Sequence, residues 1–135
     1  MSERRPRRRP GENRDRLLKA GLIEFGLHGF YGASTSAIAL RAEVPQPHVY
    51  ASFTTKRELF LACLDEALAM TGRAGADPDA ELMIFQAFAA ARAEPLAADI
   101  AGRLSRFPPP LLRRTLASAA PRLLTQLPPP PSTEP

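Results

Sequence analysis

The sequence has little with which to build a covalent or metal-held scaffold. One cysteine in 135 residues excludes a disulfide within the chain, and with no secretory leader it points to the cytoplasm. Cysteine and histidine show no metal-ligand spacing. There is no glycine-rich phosphate loop and no serine nucleophile with a plausible partner, so an enzyme finds no support and no cofactor is implied. No stretch approaches the ~18 consecutive apolar residues needed to cross a membrane. The arginine-rich start runs into Pro10-Gly11-Glu12-Asn13 instead of an apolar segment, which excludes a secretory signal. The 44% apolar content suffices for a modest core in one domain with an extension. The 15 prolines are too many for a wholly helical chain of this size.

Charge is present but unevenly placed. The formal net charge is +4, yet residues 1–19 hold eight basic side chains against three acidic ones, a net +5 that leaves the rest of the chain at −1. Arg4, Arg5, Arg7, Arg8 and Arg9 supply most of it. Such an end suits a polyanion. Residues 1–11 offer nothing apolar to bury and are expected to be a disordered basic tail.

Residues 34–53 organise the chain. Ser34 is a natural N-cap, its side-chain oxygen able to accept an otherwise unpaired N–H of the first turn. Ile38 and Ala42 then fall on one helical face, with Ala39 beside them where another helix can approach closely. Val44 lies in a short break fixed by Pro45 and Pro47. Pro47 suits the first position of a new helix, with Gln46 before it held out of the helical region. Val49 and Phe53 resume the apolar stripe. Two short helices around a four-residue turn form a helix-turn-helix, and in that motif the second helix leads into the major groove with its N-terminal residues. Here those are Gln46, Pro47, His48, Tyr50 and Ala51.

Around this motif the pattern stays helical. A first helix is expected over about 12–27, with Leu18, Leu22 and Phe25 on one face and Gly29 closing it. His28 reads as an exposed residue favourably near its C-terminus. A fourth helix should begin near Thr55, with Glu58 at capping-box spacing. It should carry Leu59, Phe60, Cys63, Leu64, Ala67 and Leu68, and fade at Thr71-Gly72, with Cys63 a small buried hydrophobe. After a linker over residues 72–77, Asp77-Pro78 starts a fifth helix bearing Leu82, Phe85 and Phe88. Glu94-Pro95 starts a sixth with Leu96, Ile100 and Leu104. Beyond Phe107, proline runs leave room for a short helix over about 111–119 and an extended or disordered end.

With Leu17, Leu22, Phe25, Gly29, Phe30, Ile38, Ala39, Ala42, Val44, Val49, Tyr50, Phe53, Lys56, Leu59 and Phe60 at these spacings, residues 13–70 resemble the N-terminal domain of TetR-family transcriptional repressors. The resemblance implies an all-α protein: a three-helix helix-turn-helix DNA-binding head over 12–58 and a partial helical effector and dimerisation domain over 59–107, while the proline runs themselves add a Pro-rich, largely disordered tail over 108–135. It implies a regulator, released by a small-molecule effector, that binds double-stranded DNA in the cytoplasm, associated with the nucleoid. The expected contact residues are Ser34, Thr35, Gln46, Pro47, His48, Tyr50, Ala51, Thr55 and Lys56, joined by Arg4, Arg5, Arg7, Arg8 and Arg9 of the tail. Gln46 can pair bidentately with adenine, and His48 can reach a guanine or a phosphate.

The sequence also departs from the family. Glu43 stands where a turn glycine is common and must bear the turn with a Cβ, at ~1 kcal/mol. Pro45 replaces a Ser or Thr cap, and position 37 is alanine. The family implies a homodimer. The proline breaks after Arg106 argue instead for a monomer or weak self-association, partly through an uncovered face of Leu82, Phe85 and Phe88. A helical interaction module or remnant that does not dimerise is the competing reading.

Overall fold

The structure is a computed structural model that describes residues 9, 11–74, 77–92, 96–125, 127–129 and 131. Seven α-helices follow one another among the described residues: α1 (Glu12–Gly32), α2 (Thr35–Ala42), α3 (Gln46–Ser52), α4 (Lys56–Ala74), α5 (Pro78–Ala90), α6 (Ala97–Leu104) and α7 (Pro109–Leu124). The fold is all-α, as the residue pattern implies.

The central helix is α1, packed against α2, α4 and α5. Leu17, Leu18, Leu22 and Phe25 recur at helical spacing and are buried, so one face of α1 supplies much of the core. Phe25 and Phe30 each meet Phe60 of α4 edge-on, with centroids 5.0 and 5.2 Å apart. Two fully buried rings and the half-buried Phe30 ring thus anchor the two helices to each other. On the α5 side, contact is closer because Gly26 has no side chain. A Cβ there would stand 3.2 Å from Leu82 Cβ and 3.3 Å from the Met83 nitrogen.

Gly29 ends the regular part of α1, as expected. Its φ of 75° and ψ of 177° interrupt the helix before a last turn over residues 30–32. That region is open essentially to glycine alone.

The caps of the later helices follow the sequence. Thr55 Oγ1 accepts the Glu58 N–H at 3.1 Å, while the Glu58 carboxylate accepts the Thr54 N–H at 2.9 Å. The Glu58 side chain thus reaches one residue further back than a standard capping box. Asp77 Oδ1 accepts the Ala80 N–H at 2.9 Å, with Pro78 in the first turn of α5. Leu96, Ile100 and Leu104 are buried together on one side of α6. The Glu94-Pro95 start signal lies outside the described residues.

Three expectations need correction. Helix α4 does not fade at Thr71-Gly72 but runs to Ala74. The tail over 108–135 was read as largely disordered with at most a short helix, yet residues 109–124 form one 16-residue helix containing Pro121. Pro109 and Pro110 occupy the first turn, where missing N–H groups cost nothing and the fixed φ is already helical. Pro121 lies near the end and lacks only the N–H that would donate to the Ala117 carbonyl one turn back. Packing of α7 on α5 through buried Thr115 and Ala119 offsets that loss, since tertiary burial outweighs local propensity. Third, the α5 face was expected to be uncovered. Leu82 is buried and Phe85 half-buried, leaving Phe88 exposed.

Candidate nucleic-acid interface

The turn between α2 and α3 sets the geometry. Ser34 Oγ accepts the Ala37 N–H at 3.1 Å and caps α2, as expected. At the other end Glu43 adopts φ 56°, ψ 43°. Its N–H reaches the Leu40 carbonyl at 3.2 Å, and the Val44 N–H reaches the Ala39 carbonyl at 3.0 Å. This pair of bonds is a Schellman motif with glutamate in the left-handed position that glycine usually takes. Val44 is buried just beyond it.

Pro45, at φ −56° and ψ 136°, redirects the chain into α3. The helix begins at Gln46, so Pro47 is its second residue, one position later than expected. The Gln46 backbone is helical despite the following proline, a correction that stays within the first turn. Val49 and Phe53 are buried and hold α3 down. Gln46, Pro47, His48, Tyr50 and Ala51 all remain exposed.

The remaining candidates fall into two groups. Thr35 meets Tyr50, their hydroxyl oxygens 3.3 Å apart, so the start of α2 and the middle of α3 form one polar patch. Thr55 is exposed, its hydroxyl already engaged as a cap. Lys56 is half-buried, its ammonium 4.8 Å from the centre of the Phe30 ring. Partial desolvation there lowers its pKa from the ordinary lysine value, and the ring face offsets part of that cost. Arg9 is exposed, and its backbone N–H donates to Glu12 Oε2. Arg4, Arg5, Arg7 and Arg8 lie outside the described residues.

Helix α1 contributes residues that sequence reasoning missed. Asn13 Nδ2 lies 3.3 Å from His48 Nδ1. Arg16 reaches the Ala42 carbonyl at 3.5 Å and Glu43 Oε2 at 3.4 Å, bracing the turn. Arg14 sits over the Phe53 ring at 5.2 Å. Arg41 of α2 pairs at 2.8 Å with the buried carboxylate of Glu24. Polar residues in the first turns of a helix carry no signal of such roles; only the folded arrangement brings positions 13 and 48 together.

A tight turn between two short helices, braced by a third and continued into an α-helical body, defines a helix-turn-helix protein of the all-α class. The turn and its neighbours agree with a family in detail. Residues 17–63 match the profile of the tetR family of bacterial regulatory proteins. Over those residues, about a third of the chain, the head is similar to that family.

Similarity to individual proteins is narrower. A segment of 49 residues is 43% identical to YdgC, an HTH-type transcriptional regulator of Bacillus subtilis strain 168. It covers 36% of this chain, and the match spans a quarter of the length of that relative. A TetR-like transcriptional regulator from Rhodococcus sp. RHA1 shares 24% identity with a TM-score of 0.46, over 88% of this chain and 75% of that one. A TetR-family regulator from Shewanella sp. PV-4 also shares 24% identity, with a TM-score of 0.38 over 84% of this chain and 65% of its own.

Among the described residues, no group of three His, Cys, Asp or Glu side chains is arranged to hold a metal ion, and no helix is long and apolar enough to cross a membrane. A cleft of about 360 Å³ lies between α1, α4 and the start of α5. Leu18, Leu22, Ile23 and Met70 line it, with Asp15 and Asp79 among its polar residues.

Proposed function

We propose that this chain is a sequence-specific DNA-binding transcriptional regulator that reads double-stranded DNA through α3. The observation that carries the reading is the exposed start of α3, with Gln46, Pro47 and His48 projecting beyond a Schellman turn. A fixed turn supports it, because base readout needs side chains held within hydrogen-bond reach of the groove floor. Thr35, Tyr50, Thr55 and Lys56 contribute phosphate contacts on the flanks, which set register more than sequence preference. The basic residues at positions 4–9 add affinity that depends on salt, since α3 itself has no Arg or Lys.

The likeness of the head to the family supports extending the proposal to a repressor that is released by a small molecule and works as a homodimer. Two half-sites about one helical turn apart or more require two heads. The 360 Å³ cleft between α1, α4 and α5 has the volume of a small-ligand site and is where an effector would couple to the head. A cytoplasmic, nucleoid-associated location goes with this function.

Selection of bound duplexes from a random pool tests the reading. A palindrome is expected for a dimer and one half-site for a monomer, while absence of any enriched sequence would refute DNA recognition. Gln46→Ala should relax preference at one base pair, by ~1–3 kcal/mol. Lys56→Ala should weaken all duplexes about equally and lower the salt slope by roughly one unit. Sedimentation equilibrium at micromolar concentration reports the oligomeric state directly.

A further inference from the structure

The contact between Asn13 and His48 joins the first turn of α1 to the exposed start of α3. It spans 35 positions of sequence and lies 3.3 Å from nitrogen to nitrogen. An amide nitrogen can only donate, so His48 Nδ1 must accept, and a neutral imidazole that accepts at Nδ1 carries its proton at Nε2. The Nε2–H then points to the far side of the ring, away from α1. A histidine fixed in this form is a donor and no longer an interchangeable donor or acceptor.

Resting on the DNA-reading function above, we propose that Asn13 is a positioning residue for base recognition: it holds His48 as the Nε2–H tautomer, so that His48 selects a base presenting an acceptor. Guanine, with N7 and O6 toward the major groove, meets that requirement. Cytosine, which offers an N4 amino donor there, does not. Asn13 thereby sets specificity at one base pair without touching the base. Asn13 is half-buried on α1, while His48 is exposed.

Two measurements on the full chain test this together. With two histidines in the sequence, long-range proton–nitrogen NMR spectra of the free protein, above the ordinary imidazole pKa, resolve each ring, and His48→Ala assigns them. His48 should be in the Nε2–H form, and Asn13→Leu should turn it into a tautomer mixture. Binding is then compared across the selected duplex and its three base variants at the pair that His48→Ala makes indifferent. The unmodified chain should prefer guanine over cytosine by roughly tenfold. Asn13→Leu should lose most of that ratio and have no further effect in the His48→Ala background. Asn13→Ser, which keeps a short donor and suits a helix start, should retain part of the ratio and guards against misfolding of the leucine variant.

An Nδ1–H proton in the unmodified chain would overturn the proposal. So would equal weakening of every duplex by Asn13→Leu, additive with His48→Ala, because that marks a direct phosphate contact by Asn13. A chain that enriches no duplex at all overturns the DNA reading itself, whatever the tautomer.

Discussion

Replacing Glu43 with glycine should make the protein more stable although it removes a charged side chain and an ion pair. Glu43 stands at φ 56°, ψ 43°, where a Cβ crowds the following carbonyl oxygen at a cost of ~1–2 kcal/mol, and glycine has no such cost. Against this stands the 3.4 Å pair between Arg16 Nη1 and Glu43 Oε2, whose side chains are 40% and 75% exposed. Pairs so open to water contribute ~0–1 kcal/mol, and Arg16 keeps Glu12 at 3.5 Å as an alternative partner. Relief of strain is the larger effect, so Glu43→Gly should gain about 1 kcal/mol. For a chain of this length that corresponds to a rise in Tm of ~3–5 °C. Urea denaturation followed by circular dichroism measures the difference. Glu43→Ala is the decisive control, because it removes the ion pair and keeps the Cβ; it should be no more stable than the unmodified chain. Glu43→Asn should fall between, since asparagine tolerates this backbone region better than glutamate. If glycine and alanine gave the same stability, or if glycine destabilised, the account of the turn as strained would be refuted.

Other substitutions separate backbone, burial and charge. Gly29→Ala should cost ~1–3 kcal/mol in thermal melting, because the new Cβ must adopt φ 75°, ψ 177° and would stand 3.1 Å from Gln86 Oε1; an unchanged Tm would refute this. Cys63 is fully buried, and desolvation raises its thiol pKa well above the ordinary value. Its stabilising contribution is complete below the unfolded thiol's pKa of ~8.5 and falls as pH rises beyond it, by ~1.4 kcal/mol per unit while the native thiol stays protonated. Cys63→Ala should remove that slope between pH 9 and 10, which urea titrations at each pH can detect. Glu81 of α5 is buried with its Oε1 3.7 Å from Arg122 Nη1 of α7, and neither atom has a hydrogen-bond partner among the described residues. Arg122→Leu should cost ~2–3 kcal/mol by stranding the carboxylate. Adding Glu81→Leu should recover much of the loss, and strictly additive effects would argue against the pairing.

Much of the head was legible from residues alone, because its signals are local. Ser34, Thr55 and Asp77-Pro78 mark helix starts through atoms within three or four positions of each other. Ile38, Ala42, Val49 and Phe53 repeat at helical spacing and are buried. Glu43 was placed in the turn by the resemblance, which puts a glycine there, and its strain followed from carrying a Cβ.

What the sequence alone determined, then, was the class of fold, the caps and the helix that presents Gln46, Pro47 and His48. Tertiary structure decided the rest, where the energy comes from partners distant in the chain. Continuation of α7 through Pro121 depends on α5 lying beneath Thr115 and Ala119, a contact no local propensity encodes. Leu82 is covered in part because Gly26 lets α1 approach α5 to within van der Waals contact, and packing of α4 and α7 on α5 adds to that cover. The same holds for Lys56 on the Phe30 ring and for Asn13 beside His48. A polar or charged side chain has no preferred partner in sequence, and its partner is whichever group the packed backbone brings within reach.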